Sequence, residues 1–389
     1  MSQHAQFQYN DEFFFDDQER QRASGAFPSI WFALNSPDVA DQFRLLDEDG
    51  KTLKAEFQIW GFRVVTLAVF ALALAAIEPT FVYPATEAGY FPAIVPKVMA
   101  SVAGAAGILS VLMGFFGMGF SGRKRRWLRI RMLCERIRQW RWQYICAHIP
   151  EIIAATSNDK LKDEYVAKRG VSFARFVSEL RDQQDAALQD VLASDKENPD
   201  AFWCEISFKQ AVQRAEVLRS VETSEIDQTG PAAQLLAAYA NARIGAQRRY
   251  ARYLVTDQGP FTTHPATQRR WLHTRGVALI MLIFVLHILA VCGIFAFRIP
   301  GVAFKLMSVL AVILALVALG LRAIEDGLRP AEHLGRIKGY LAETSSIEEA
   351  FWEARSAAST VGLMVAQERA AYKEMVDFMQ AGNRSRYVM

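Results

Sequence analysis

Two stretches of this sequence run without a charged side chain for longer than a helix in a soluble core needs. Val98–Gly122 is 25 residues long, and Gly276–Phe297 is 22 residues with one histidine. A helix rising ~1.5 Å per residue crosses the hydrocarbon core of a bilayer in about 20 residues. Val64–Ile77 (14 residues) and Leu306–Leu321 (16 residues) reach that length only with their flanks. Trp60 and Arg63 precede the first, and Lys305 sits just before the second. Trp prefers the headgroup level, and long basic side chains snorkel to it. The expected spans are TM1 57–77, TM2 94–120, TM3 275–297 and TM4 301–321, two hairpins. The competing reading is a buried helix in a large soluble core, which TM2 and TM3 exceed in length.

Charge predicts the orientation. Arg123-Lys124-Arg125-Arg126, Arg129 and Arg131 follow TM2; Arg269, Arg270 and Arg275 precede TM3; Arg322 and Arg329 follow TM4. By the positive-inside rule both termini and the 123–274 segment are cytoplasmic. Residues 1–56 carry 11 acids against five bases, the opposite of a secretory signal, and are expected as an acidic cytoplasmic arm. The expected fold class is all-α: two transmembrane hairpins (57–122 and 275–321), a large helical basic insert and cytoplasmic C-terminal helices over 322–389.

Strand signals are lacking in the insert. Helices are expected over 123–145, 158–169, 172–193, 200–222 and 231–254, broken at Pro150, Asn158, Asn198-Pro199-Asp200 and Gly230-Pro231. Ser345 with Glu348 has the spacing of a capping box, predicting a long helix over 346–379. Its apolar rhythm, Ile347 through Phe378, is near-heptad and interrupted at Glu368, which suits a helix–helix seam within one chain or between copies. Four cysteines show no paired spacing, and no metal, Walker, Rossmann, Ser/His/Asp or HExxH pattern occurs. The reading is therefore a non-enzyme with no cofactor and no metal.

Four features bear on function. TM2 carries small residues at Ala100, Gly104, Gly107, Ser110, Gly114, Gly117 and Ser121, all on one face. TM4 has Gly301, Ser308, Ala311, Ala315 and Ala318. Small faces allow close helix packing in lipid, and they also leave room for a pore. Lys97, Lys305 and Arg322 extend these faces at their ends, so Lys97, Ala100, Gly104, Gly107, Ser110, Gly114, Gly117, Lys305, Ser308 and Arg322 are the candidate pore lining. His287, mid-span in TM3, is expected to bond a neighbouring helix. Arg123–Pro150 holds nine Lys/Arg and one acid, Glu135. Its distal arginines need a partner beyond lipid headgroups: acids of the N-terminal arm, or phosphate of a nucleotide or oligonucleotide. The candidate ligand residues are Arg125, Arg129, Arg131, Arg136, Arg138, Arg141, Arg248, Arg249 and Arg252. Finally, Phe13-Phe14-Phe15 lies between acids, as in a docking segment.

The hairpin followed by Arg129-Ile130-Arg131, Glu135-Arg136-Ile137 and Trp140-Arg141-Trp142, with Arg249-Tyr250-Ala251-Arg252-Tyr253 and Arg269-Arg270-Trp271 leading into the second hairpin, resembles the four-transmembrane subgroup of the SLATT membrane effectors. The resemblance spans about residues 55–340 and leaves the acidic arm and the long insert unaccounted for. It implies a pore-forming homo-oligomer, a tetramer or larger, in the bacterial inner membrane. It further implies a role in antiphage conflict, a nucleotide or oligonucleotide ligand and a partner nucleotidyltransferase. The alternative is a non-conducting membrane scaffold that recruits a cytoplasmic partner.

Overall fold

The computed structural model describes residues 11–119, 122–193, 230–256, 258–293, 301–354 and 357–385. Among these residues there is no strand, and four helices are long and apolar enough to cross a membrane. The protein is an all-α membrane protein. Its chain divides into two compact units. The first takes Met1–Lys51, Trp127–Gly259 and Glu332–Asn383; the second takes Thr52–Arg126, Pro260–Ala331 and Arg384–Met389.

The second unit holds the spans. TM1 is the later part of α2 (Pro37–Ile77), opened by Pro37, whose missing N–H costs nothing in a first turn. TM2 is α3 (Ile94–Leu112) followed by the π-helical Met113–Gly119. TM3 lies in α10 (Pro265–Cys292), and TM4 is α11 (Gly301–Leu328). Residues 294–297 of the expected TM3 and 120 of the expected TM2 fall outside the described residues. TM1 packs on two partners. On TM2, Ser110 Oγ donates to the Val64 carbonyl at 2.9 Å, and a Cβ at Gly114 would meet Val64 Cγ1 at 3.6 Å. On TM4, a Cβ at Gly320 would come within 2.7 Å of Val69 Cγ2, so only glycine permits that approach. TM3 packs on TM4, with Leu272 and Leu328 buried among Phe62, Val65, Phe261, Leu321 and Ile324.

The first unit is built around α4 (Arg123–Ala147), which follows Gly122 at φ +61°. Every residue of α4 from Ile137 to Ala147 is buried. The sequence stripe predicts one apolar face; instead this second half of the helix is surrounded. Around it lie α5 (Ile149–Ala155), α6 (Asp159–Asp182) and α7 (Gln184–Ala193). Further along are α8 (Pro231–Ala238), a π-helical turn over Tyr239–Gly245, and α9 (Ala246–Val255). The C-terminal pair is α12 (Pro330–Glu353) and α13 (Ala357–Arg384). Near the N-terminus stand α1 (Asp17–Ala26) and a single turn, Trp31–Leu34.

Several boundaries differ from the sequence reading. From Pro37 the acidic segment is the start of the TM1 helix rather than an arm. The expected break near residue 170 is absent: Gly170 sits inside α6, held by Phe173 and Phe176 stacking on Trp140 at 5.0 and 5.8 Å. The single helix expected over 346–379 is two helices. Pro330 starts the first, so Ser345 and Glu348 lie inside it and the capping box is not used. Asn158 does cap α6, accepting from Lys160 N at 3.0 Å and Leu161 N at 3.4 Å. The helix expected over 200–222 lies outside the described residues.

Candidate functional site

A helix as basic as α4 cannot be buried with its guanidinium groups unpaired, because an isolated charge in low dielectric costs several kcal/mol. Its arginines must meet acids, and α4 itself supplies one, Glu135. Arg131 and Arg138, four residues before and three after it, both reach Glu135: Arg131 Nη2 donates to Oε1 at 3.0 Å and Arg138 Nη1 to Oε2 at 2.8 Å. Arg131 also pairs with Asp47 of α2 at 2.8 Å, and Asp47 with Lys51 at 2.7 Å. The two helices come close here because Gly50 faces Ile130, where a Cβ would lie 3.3 Å from Cγ2.

In the other direction Arg138 Nε contacts Glu12 Oε1 at 2.9 Å. Glu12 Oε2 accepts from Arg243 Nη1 at 2.9 Å and from the Trp142 indole N–H at 2.9 Å. Gln247 Nε2 reaches Glu12 Oε1 at 2.5 Å. Arg243 then makes a bidentate pair with Glu368, Nε to Oε1 and Nη2 to Oε2, both 2.9 Å, and Tyr239 donates to Glu368 Oε1 at 2.9 Å. The result is one line of alternating sign: Lys51, Asp47, Arg131, Glu135, Arg138, Glu12, Arg243, Glu368. It joins the N-terminal turn, α2, α4, the π-helical turn and α13. Glu12, Arg243 and Glu368 have side-chain exposures of 2%, 1% and 0%.

Electrostatics follow from this packing. Burial works against a charged Arg243, but Glu368 and Glu12 more than offset it and hold the guanidinium well above its usual value. Burial likewise raises Asp47, yet Arg131 and Lys51 prevail and leave its carboxyl below the usual range. Burial pushes Arg141 down to about 9, opposed by Glu12 and assisted by Arg169 and Arg243, so it stays charged at neutral pH. Cys134 and Cys146 are buried, and burial raises both thiols, Cys134 to about 12. They are inert thiols rather than nucleophiles.

Arg141 and Arg169 serve another end. Arg141 donates to the Glu12 carbonyl, to Leu34 O at 2.8 Å and to Ser36 Oγ at 3.2 Å. Arg169 donates to Phe32 O and Ala33 O at 3.0 Å each, and to Asn35 O at 2.9 Å. Together they satisfy the carbonyls left open where the Trp31–Leu34 turn ends.

The nine candidate ligand arginines are therefore not gathered on one face. Arg131, Arg138 and Arg141 turn inward to the contacts above. Arg248 pairs with Glu348 at 2.7 Å and Arg129 with Asp185 at 3.4 Å. Arg136 donates to Gln139 at 3.2 Å and lies over Tyr372 at 5.8 Å. Arg249 is exposed and reaches Asn241 O at 3.3 Å; Arg125 and Arg252 are exposed. The sequence reading did not include Arg243, Glu12, Asp47, Glu135 and Glu368 among site residues. Two of them carry a visible signal: Glu135 is the one acid in a basic helix, and Glu368 breaks an apolar rhythm.

The candidate pore residues divide as well. Ser110, Gly107 and Gly114 face TM1, whose Ala71 Cβ would lie 3.8 Å from a Cβ at Gly107. Lys97, Ala100 and Gly104 are exposed, and a Cβ at Gly104 would meet nothing within 4 Å. Gly117 lies in the π-helical stretch after α3. Lys305 and Ser308 are exposed, the Ser308 hydroxyl donating to Phe304 O at 3.0 Å. Arg322 pairs with Glu325 at 2.8 Å and Asp326 at 3.3 Å. His287 Nδ1 lies 2.8 Å from Ile283 O of its own helix, rather than bonding a neighbour as expected. Among the described residues no group of His, Cys, Asp and Glu is placed to hold a metal. No family model, curated protein or solved structure matches this chain.

Proposed function

We propose that the protein is an oligomeric, pore-forming effector of the bacterial inner membrane, with both termini cytoplasmic, gated by an anionic nucleotide or oligonucleotide. The observation that carries this reading is that Lys97, Ala100 and Gly104 of TM2 are exposed, uncovered by the described residues of the chain. Small residues beside a lysine gain little from lipid contact, but they suit a copy of the same helix or a wet lumen. Exposed Lys305 and Ser308 on TM4 add polar groups of the same kind. Ligand sensing then falls to the exposed Arg125, Arg249 and Arg252 and to the half-buried Arg129. The assignment to antiphage conflict, and to a partner nucleotidyltransferase, rests on the SLATT resemblance alone.

A second reading is favoured by a different observation. Ser110, Gly107 and Gly114 are consumed by packing on TM1, and that is what a non-conducting scaffold would show. Induced expression with a potential-sensitive dye separates the two. A channel depolarises cells, and replacing Arg249 and Arg252 by Glu changes how strongly an added nucleotide alters the signal. Unchanged potential at every expression level, with and without nucleotide synthesis in the same cells, would leave only the scaffold.

A further inference from the structure

The least expected contact in the first unit is Glu12, an acid in the N-terminal turn Asp11–Phe13 whose carboxylate is as buried as any core residue. Three side chains donate to it, Trp142, Arg243 and Gln247, and the Arg138 guanidinium is ion-paired beside it with Nε 2.9 Å from Oε1. A fifth, Arg141, holds its main-chain carbonyl. The next residues insert rings. Phe13 stacks on Phe43 with centroids 4.5 Å apart, and Phe14 meets Trp31 at 5.8 Å. The Arg141 guanidinium lies 5.0 Å from the Phe13 ring and 5.7 Å from that of Phe14. This is how a cleft recognises an acidic, aromatic peptide: convergent cationic donors for one carboxylate, flanked by ring pockets.

Two features show that the segment is held by these contacts and not by its neighbours in sequence. Phe14 has φ +55°, a left-handed conformation that a bulky residue adopts only when its surroundings impose it. The helix that follows, α1, buries only Ala23 and is capped by Asp16 within its own first turn. Detaching residues 11–15 would leave α1 capped and would release the strained backbone.

We infer that Glu12-Phe13-Phe14 is a displaceable internal ligand, seated in a recognition cleft for acidic aromatic peptides formed by Arg138, Arg141, Trp142, Arg243, Phe43 and Trp31. When the segment leaves, Arg138 and Arg243 lose their shared acid, and the alternating charge line is cut at its middle.

The test uses the full-length protein in detergent with a protease site inserted between Phe15 and Asp16. After cleavage, a fluorescent synthetic peptide copying residues 6–16 is added and its anisotropy followed. The expected result is saturable exchange on the cut protein, none on the uncut protein, and binding at least tenfold weaker for the Glu12→Gln peptide. An intact chain carrying Glu12→Gln gives a second reading: its weakened segment should yield to the wild-type peptide supplied in trans. Loss of helicity on cleavage, a segment that excess peptide cannot displace, or equal binding of the Glu12→Gln peptide would each show an ordinary piece of core and overturn the inference.

Discussion

Arg243 offers three nitrogens to two carboxylates that come from the two ends of the described chain, Glu12 and Glu368. A pair so deeply buried is not a simple gain in stability, because taking both ions out of water costs about what their attraction returns. What it does enforce is mutual dependence. Replacing Arg243 by Met strands the buried Glu368 carboxylate and should cost about 3–5 kcal/mol, whereas Glu368→Leu leaves Arg243 paired with Glu12 and should cost less. The double variant Arg243→Met/Glu368→Leu should cost far less than the sum, since Glu12 keeps Arg138, Trp142 and Gln247. Thermal unfolding in one detergent measures all three, and additive losses would mean that the two groups do not act as a pair. At this scale the sequence was half legible. The excess of arginine in α4 demanded acidic partners, and the N-terminal acids were one of two candidates. Which acids, and that Arg243 would join them, depends on contacts between residues more than two hundred positions apart, such as Glu12 and Arg243. No local pattern encodes such a contact.

Among the helices, TM1 is the element that organises the second unit, with TM2 on one side through Ser110 and TM4 on another through Gly320. The four spans were legible because hydropathy and length alone decide them. The division of the TM2 small face was not, because Gly104 and Gly107 look alike in sequence and differ only in whether a helix stands opposite. That difference is measurable. Gly320→Leu has no room beside Val69 and should separate TM1 from TM4, lowering the yield of folded protein. A Cβ at Gly104 meets nothing within 4 Å among the described residues, so Gly104→Leu should leave the protomer folded while weakening the assembly of copies. Size-exclusion chromatography with light scattering reads both. An unchanged oligomer in Gly104→Leu would place that face against lipid. Helix ends were less legible than helix identities: Pro330 overrode the Ser345–Glu348 pattern, and Gly170 proved no break, because aromatic packing on Trp140 outweighs the ~1 kcal/mol cost of one glycine.

The described residues combine four helices long and apolar enough to cross a membrane with a helical unit that contains a line of buried, mutually paired charges. This combination limits any gating ligand. It can act only through differential affinity for two states, and Arg131, Arg138 and Arg243 are already held by buried carboxylates. A pore fits the exposed Lys97, Ala100 and Gly104 of TM2 better than it fits the inward-turned basic helix. The most direct measurement is ion flux from vesicles holding the purified protein, comparing wild type with Lys97→Glu and Gly104→Leu. The account predicts a flux in wild type that shifts toward cations in Lys97→Glu and falls at least tenfold in Gly104→Leu. Vesicles that stay sealed with wild-type protein, in the presence and absence of nucleotides, would contradict it.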